Sequence, residues 1–172
     1  MSTPANSSNA SEPALSTDAA SDRQLCPLSF AQERLWFLDQ LEPGSPAYNI
    51  SQAWRMEGDF NLPAFQQALN EVIRRHETLR TTFSQVEGKP VVVIAAFKEQ
   101  SFNPIDLSAE EDSAQAARQW IERSAREPFT LEQGPLFRVD VLRLSASEHM
   151  VVFTLHHIIS DAWSFEILRR EV

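Results

Sequence analysis

The segment His156-His157-Ile158-Ile159-Ser160-Asp161-Ala162 places two imidazoles and a carboxylate within a short stretch of chain. Histidine titrates near neutrality and is the side chain most often used as a general acid or base, so proton transfer is the chemistry this cluster suggests. Just before it, Met150 and Val152 on one parity and Val151, Phe153 and Leu155 on the other are apolar, as expected of a central strand covered on both faces. Successive side chains of a strand point to opposite faces. One histidine of the pair should therefore face a reaction centre while the other packs behind it. A shared metal ion fits poorly, because the two rings diverge and no third ligand is evident.

Other candidates are weaker. Cys26 is the sole cysteine, so no intrachain disulfide can form, and with no base near it in sequence it reads as a passive thiol. His76 and Glu77 fall at the expected C-terminus of a helix, where the dipole favours an imidazole, and read as structural.

The elements that must position the histidines follow from periodicity. Ser29 with Gln32 fits a capping box, and Leu28 is placed to staple the start of a helix whose stripe is Leu35, Leu38 and Leu41, stopped by Pro43-Gly44. Its Trp36 and Phe37 read as core or lobe-contact residues. Residues 47–56 read as extended, with Ile50, Trp54 and Met56 on one parity. A second helix begins near Asn61 with Pro63 in its first turn and carries Phe65, Leu69, Val72, Ile73 and His76 at helical spacing.

Strands are expected over 79–83 and 91–94, joined by a turn at 86–90. Ser108 with Glu111 should cap a third helix reaching Arg126 through Ala117, Trp120 and Ile121. Gly134-Pro135 opens a strand to Leu144, a further strand runs from His149 to His156, and a last helix starts near Trp163 and continues to Val172. The fold class is α/β: a mixed sheet with packed helices.

Composition bounds the rest. With 172 residues and 42% hydrophobic content, the chain can form about one domain with a real core. A net charge of −9 and the lack of a basic stripe argue against nucleic acid. The longest apolar run, residues 91–97, is far too short to cross a bilayer, and the N-terminus has neither the basic nor the apolar region of a secretory signal. A cytoplasmic location is expected, with no membrane partner. Residues 1–24, rich in Ser, Ala, Thr and Asn, cannot bury enough surface to offset their ordering entropy and are expected to form a disordered tail. Residues 25–172 form the folded unit. Four glycines and no glycine-rich phosphate loop leave no dinucleotide site.

Three segments then align: Leu28-Ser29-Phe30-Ala31-Gln32-Glu33-Arg34-Leu35-Trp36-Phe37-Leu38, Arg75-His76-Glu77-Thr78-Leu79-Arg80-Thr81-Thr82-Phe83, and the histidine segment extended through Trp163-Ser164. Together, in this order, they resemble the first three core motifs of nonribosomal peptide synthetase condensation domains. These have the two-lobed acyltransferase fold typified by chloramphenicol acetyltransferase. The stretches from Glu42 to Ile50 and from Gly134 to Arg138 also look like linkers of that family.

The resemblance implies amide formation, in which the acceptor's α-amine attacks a donor acyl or peptidyl thioester. Both substrates ride on the phosphopantetheine of carrier proteins, and the domain itself binds no cofactor. It implies His157 at the reaction centre, His156 behind it, and Asp161 as an architectural residue paired with an arginine, for which Arg80 is the candidate. Asp161 as the cap of the last helix is a compatible alternative. Asp161→Asn is expected to impair folding more than chemistry. An α-amine of pKa about 7.7–8.0 is already roughly a tenth neutral at pH 7, so His157 is expected to orient the amine and take its proton late rather than to act as a strong base at the outset.

Two departures matter. Ala162 stands where the motif closes on glycine, which would cost about 1 kcal/mol if φ there were positive and nothing if it were negative. The resemblance also covers only the first lobe of the family's fold. The chain is therefore expected to lack the C-terminal lobe, to expose apolar surface where that lobe would pack, and to be inactive alone. Its expected partners are the donor and acceptor carrier proteins, the second lobe and a downstream adenylation domain. Met1 with the tail suggests the start of a synthetase subunit fed by a separate one, of the subtype joining two L-configured substrates. The alternatives are a non-catalytic carrier-docking half-domain, or a related O- or N-acyltransferase of the same fold.

Overall fold

The computed structural model describes residues 23–172, and the tail expected over 1–24 lies almost wholly outside them. The strand β1 (Arg23–Cys26) already pairs Arg23 with Ala95, so order begins before the expected boundary, and Cys26 sits in a paired strand. The helix α1 (Phe30–Leu41) has the expected capping box: the Ser29 hydroxyl accepts from the Gln32 amide at 3.3 Å, and the Ser29 N–H donates to Gln32 Oε1 at 2.9 Å. A 3-10 turn at Pro46–Tyr48 leads into β2 (Asn49–Glu57). Asn61 caps α2 (Leu62–Arg75), with Pro63 in the first turn as expected.

A 3-10 turn at Glu77–Arg80 separates α2 from β3 (Thr81–Val86), so Leu79 and Arg80 lie in a turn and not in the expected strand. Local bonds explain this: the Leu79 N–H donates to the His76 carbonyl at 3.0 Å and the Thr81 hydroxyl to the Glu77 carbonyl at 2.8 Å. Glu87 (φ 52°) and Gly88 (φ 77°) are both left-handed and make the tight reversal into β4 (Lys89–Ala95). The short β5 (Ile105–Asp106) follows. Ser108 does not cap the third helix. Its amide and hydroxyl both donate to Asp106 Oδ1, at 2.9 and 2.6 Å, and Asp112 caps α3 (Ser113–Arg126) instead, accepting from the Gln115 amide at 2.8 Å. The chain then forms β6 (Phe137–Ser145), β7 (Glu148–His156) and α4 (Ala162–Glu171).

The strands divide into two sheets, β1-β4-β3 and β2-β7-β6-β5. The larger is mixed, with β5 parallel to β6 and the other pairs antiparallel. Within it β7 is central, flanked by β2 and β6, as its two apolar parities required. Val151, Phe153 and Leu155 join α2 and α4 in the main core, with Leu69, Ile73 and Phe165 almost fully buried there. On the other face Val152, Leu142 and Leu144 meet Ala117, Trp120 and Ile121 of α3. Full burial of one such side chain is worth about 1.5–3 kcal/mol, so β7 is held firmly on both sides up to its last residue.

Polar groups also join α3 to the sheet. The Ser124 hydroxyl donates to Asp140 Oδ2 at 2.9 Å, and the buried Thr154 hydroxyl lies 3.3 Å from it and 3.0 Å from that of Ser51. Asn49 Nδ2 donates to the carbonyls of Ala125 (2.9 Å) and Glu127 (2.8 Å), fixing the end of α3 to the start of β2. The expected stripe of α1 is only partly used: Leu35 and Trp36 pack on the core, whereas Phe30, Phe37 and Leu41 are 87%, 57% and 63% exposed. Among the described residues no helix is long and apolar enough to cross a membrane.

Candidate active site

The end of β7 is tied to both neighbours. The His156 N–H donates to the Leu136 carbonyl at 3.0 Å and the His157 N–H to the Tyr48 carbonyl at 2.8 Å. Opposite backbone bonds on successive residues turn the two rings apart, as strand alternation requires. His156 faces inward, almost fully buried, with the rings of Tyr48 and Phe129 about it at centroid distances of 6.2 and 6.3 Å. Its Nδ1 accepts the Ile158 N–H at 3.1 Å, which leaves the proton of the neutral ring on Nε2. Burial, reinforced by the neighbouring His157, pushes its pKa down from 6.5 to about 4. His156 is therefore neutral across the physiological range.

His157 faces outward and is exposed. Its Nδ1 lies 2.6 Å from the Ser160 carbonyl. A carbonyl only accepts, so Nδ1 carries the hydrogen and the Nε2 lone pair of the neutral ring is free. The two histidines thus hold opposite tautomers. The turn between them and α4 is tied back to the end of β7: Ile158, Ile159 and Ser160 are buried, the Ile159 N–H donates to the His156 carbonyl at 3.1 Å, and the Ser160 hydroxyl donates to it at 3.3 Å. Because the rings diverge, they cannot both ligate one metal ion. What the arrangement offers is a single oriented imidazole at the mouth of a strand, able to accept a proton from outside.

Asp161 departs from the resemblance. Its carboxylate is exposed and caps α4, with Oδ1 accepting from the Ser164 amide at 2.8 Å and the Ser164 hydroxyl at 2.7 Å, while the Asp161 N–H donates to Ser164 Oγ at 3.1 Å. These bonds hold the carboxyl below the usual carboxylate range, the Ser164 hydroxyl foremost. Arg80 is not its partner. The Arg80 guanidinium donates to the main-chain carbonyls of Ile73 (3.2 Å), Arg74 (3.5 Å) and Ala95, joining the end of α2 to β4. An exposed carboxylate needs no buried counter-ion, which is why capping and not ion pairing settles Asp161. Ala162 opens α4 and is exposed, and among the described residues the non-glycine with positive φ is Glu87. The methyl of Ala162 is therefore unstrained, and the glycine is not required for this backbone.

Of the residues singled out from sequence, His156, His157, Asp161 and Ala162 converge on one turn, while Arg80 stands apart. The contributors missed include Tyr48, Leu136 and Ser160, which act through their carbonyls, Ile158, which acts through its N–H, and Phe129, which covers His156. Main-chain roles leave no mark on residue type. Only the three-residue spacing of Ser160 from His157 could have hinted at its part.

Comparison with known proteins places this geometry. The family model described as the condensation domain matches residues 22–172. Linear gramicidin synthase subunits B and C of Brevibacillus parabrevis are 47% and 43% identical to the chain over 149 residues, which is 85% of this chain but only 3% and 2% of those proteins. The solved structure of the starter condensation domain of rhizomide synthetase RzmA superposes with a TM-score of 0.80 at 32% identity, covering 86% of this chain and 37% of that one.

Proposed function

The chain belongs to the condensation-domain family, and on that premise we propose that it carries the histidine centre of peptide-bond formation in nonribosomal peptide synthesis. The acceptor's α-amine attacks the carbonyl carbon of the donor thioester. A C–N bond forms, and collapse of the tetrahedral intermediate breaks the C–S bond. His157 Nε2 holds the amine in place and takes its proton as the intermediate forms, and the leaving thiolate takes that proton up. The supporting observation is the 2.6 Å contact of Nδ1 with the Ser160 carbonyl, which leaves Nε2 as the acceptor on the outward face. Because roughly a tenth of the amine is neutral at pH 7, orientation and late proton acceptance suffice.

Donor and acceptor are proposed to arrive on the phosphopantetheine arms of two carrier proteins, which bring the reacting groups to this domain, so that it needs no cofactor of its own. The chain spans 37% of the solved condensation domain it matches. We assign the remaining wall of the reaction channel to a second lobe, and the uncovered face of α1 with Phe30, Phe37 and Leu41 is the apolar surface available to such a partner.

The test is His157→Ala in the synthetase that contains these residues, with both carriers loaded and product read by intact-protein mass spectrometry. Loss of ~10²–10⁴ in rate is expected. Condensation at the parent rate would refute the assignment, and equal turnover of a coenzyme A thioester donor would point to the related acyltransferases.

A further inference from the structure

We propose that His76 is a positioning residue for His157, acting through Glu171 and the helix α4. His76 closes α2, its N–H donating to the Val72 carbonyl at 2.9 Å, and its Nε2 donates to Glu171 Oε2 at 2.8 Å. Arg75 reaches the same carboxylate oxygen at 2.8 Å. The pair therefore ties α4 at Glu171 to the last turn of α2, two elements separated by half the chain. His76 is the leading cause that holds the Glu171 carboxyl below the usual carboxylate range, with Arg75 and Arg170 adding to it.

The geometry runs from that grip to the reaction centre. At its other end α4 is capped by Asp161, one residue beyond the Ser160 carbonyl that takes the Nδ1 hydrogen of His157. Buried Phe165 and Leu168 fix the depth of the helix against the core, but apolar contacts are non-directional and leave rotation and sliding along its axis less defined. The His76–Glu171–Arg75 contact supplies a directional constraint. Releasing it lets the helix shift, which lengthens the Ser160–His157 bond and lets the neutral ring exchange tautomers.

This inference rests on the role proposed for His157, and its test reads geometry alone, so that its failure and that of the condensation assignment are distinguishable. The measurement is the 15N shifts of the His157 ring nitrogens in the 172-residue chain at alkaline pH, assigned by the signal lost in His157→Gln. In the parent protein the hydrogen should sit on Nδ1. Glu171→Leu and His76→Leu should each lower the Nδ1-H to Nε2-H ratio about two- to fivefold. Glu171→Gln, which keeps an acceptor for His76, should retain most of it. Glu166→Gln loosens the helix through its own exposed Arg169 pair and should leave the ratio unchanged. Parent-like ratios in both leucine variants, or an equal loss in Glu166→Gln, would overturn the proposal.

Discussion

His156 and His157 are adjacent in sequence and opposite in burial and in the tautomer their hydrogen bonds select. The buried ring has its pKa pushed down to about 4, and this has a consequence for stability. Above pH 6.5 both the folded and the unfolded chain hold this ring neutral. Between pH 6.5 and 4 the unfolded chain takes up the proton while the folded one excludes it, so stability falls as the pH falls, by up to about 3 kcal/mol across the window. Below pH 4 both states are protonated and this loss stops growing. His156→Gln should remove that slope, as urea unfolding at several pH values would show; a variant with the parent's pH dependence would mean that His156 is not held neutral. That one histidine points outward and the other is packed inside was legible from strand alternation. The tautomers were not, because they are set by the Ser160 carbonyl and the Ile158 N–H, which every residue type possesses.

Among the elements, α4 is the one whose start most directly adjoins the site. With Asp161 as a reciprocal cap, Asp161→Ala should cost about 1 kcal/mol and Asp161→Asn very little, since asparagine caps as well as aspartate. A large loss in Asp161→Asn, measured by thermal unfolding, would restore the ion-pair role that the sequence suggested. The loop before β6 carries a second constraint. A Cβ built on Gly134 would lie 2.8 Å from Thr82 Cγ2, so Gly134→Ala must shift the Thr82 side chain, β3 or the loop. It should destabilise the fold by about 1–3 kcal/mol, and Thr82→Ser should recover part of that. The helix starts at Ser29 and Asn61 were legible, because a capping side chain must be of a particular type. The start of α3 was not. Ser108 and Asp112 are both competent caps, and the Asp106 side chain decides between them by engaging Ser108. The strand β5, of two residues, has no periodicity to detect.

Across the whole molecule, apolar surface is distributed unevenly. Phe30, Phe37 and Leu41 contribute little to the core of the described residues, so Phe30→Ser with Phe37→Ser should change stability by no more than about 0.5 kcal/mol. The same pair should lower dye binding and self-association, read by fluorescence and light scattering. Marked destabilisation would instead place these rings inside the fold. The α/β class and the central place of β7 were legible because a strand covered on both faces must be apolar on both parities. The division into two sheets was not, since neither composition nor spacing records which strand edges meet. The histidines lie at the end of a strand whose two neighbours have very different histories. Pairing of β6 with β7 closes across a two-residue gap, whereas β2 must wait until some ninety residues later for β7, at the register Asn49 to His156. Tyr48, which anchors the His157 amide, arrives with β2. During synthesis β2 emerges from the ribosome long before its partner, with an unpaired edge. The charges of Arg55 and Glu57 at its far end help to keep that edge from pairing with another chain. The backbone anchor of His157 is therefore completed only by the pairing that spans the greatest sequence separation in the larger sheet, and a nascent chain that has built everything except β7 has a partial core but lacks this arrangement.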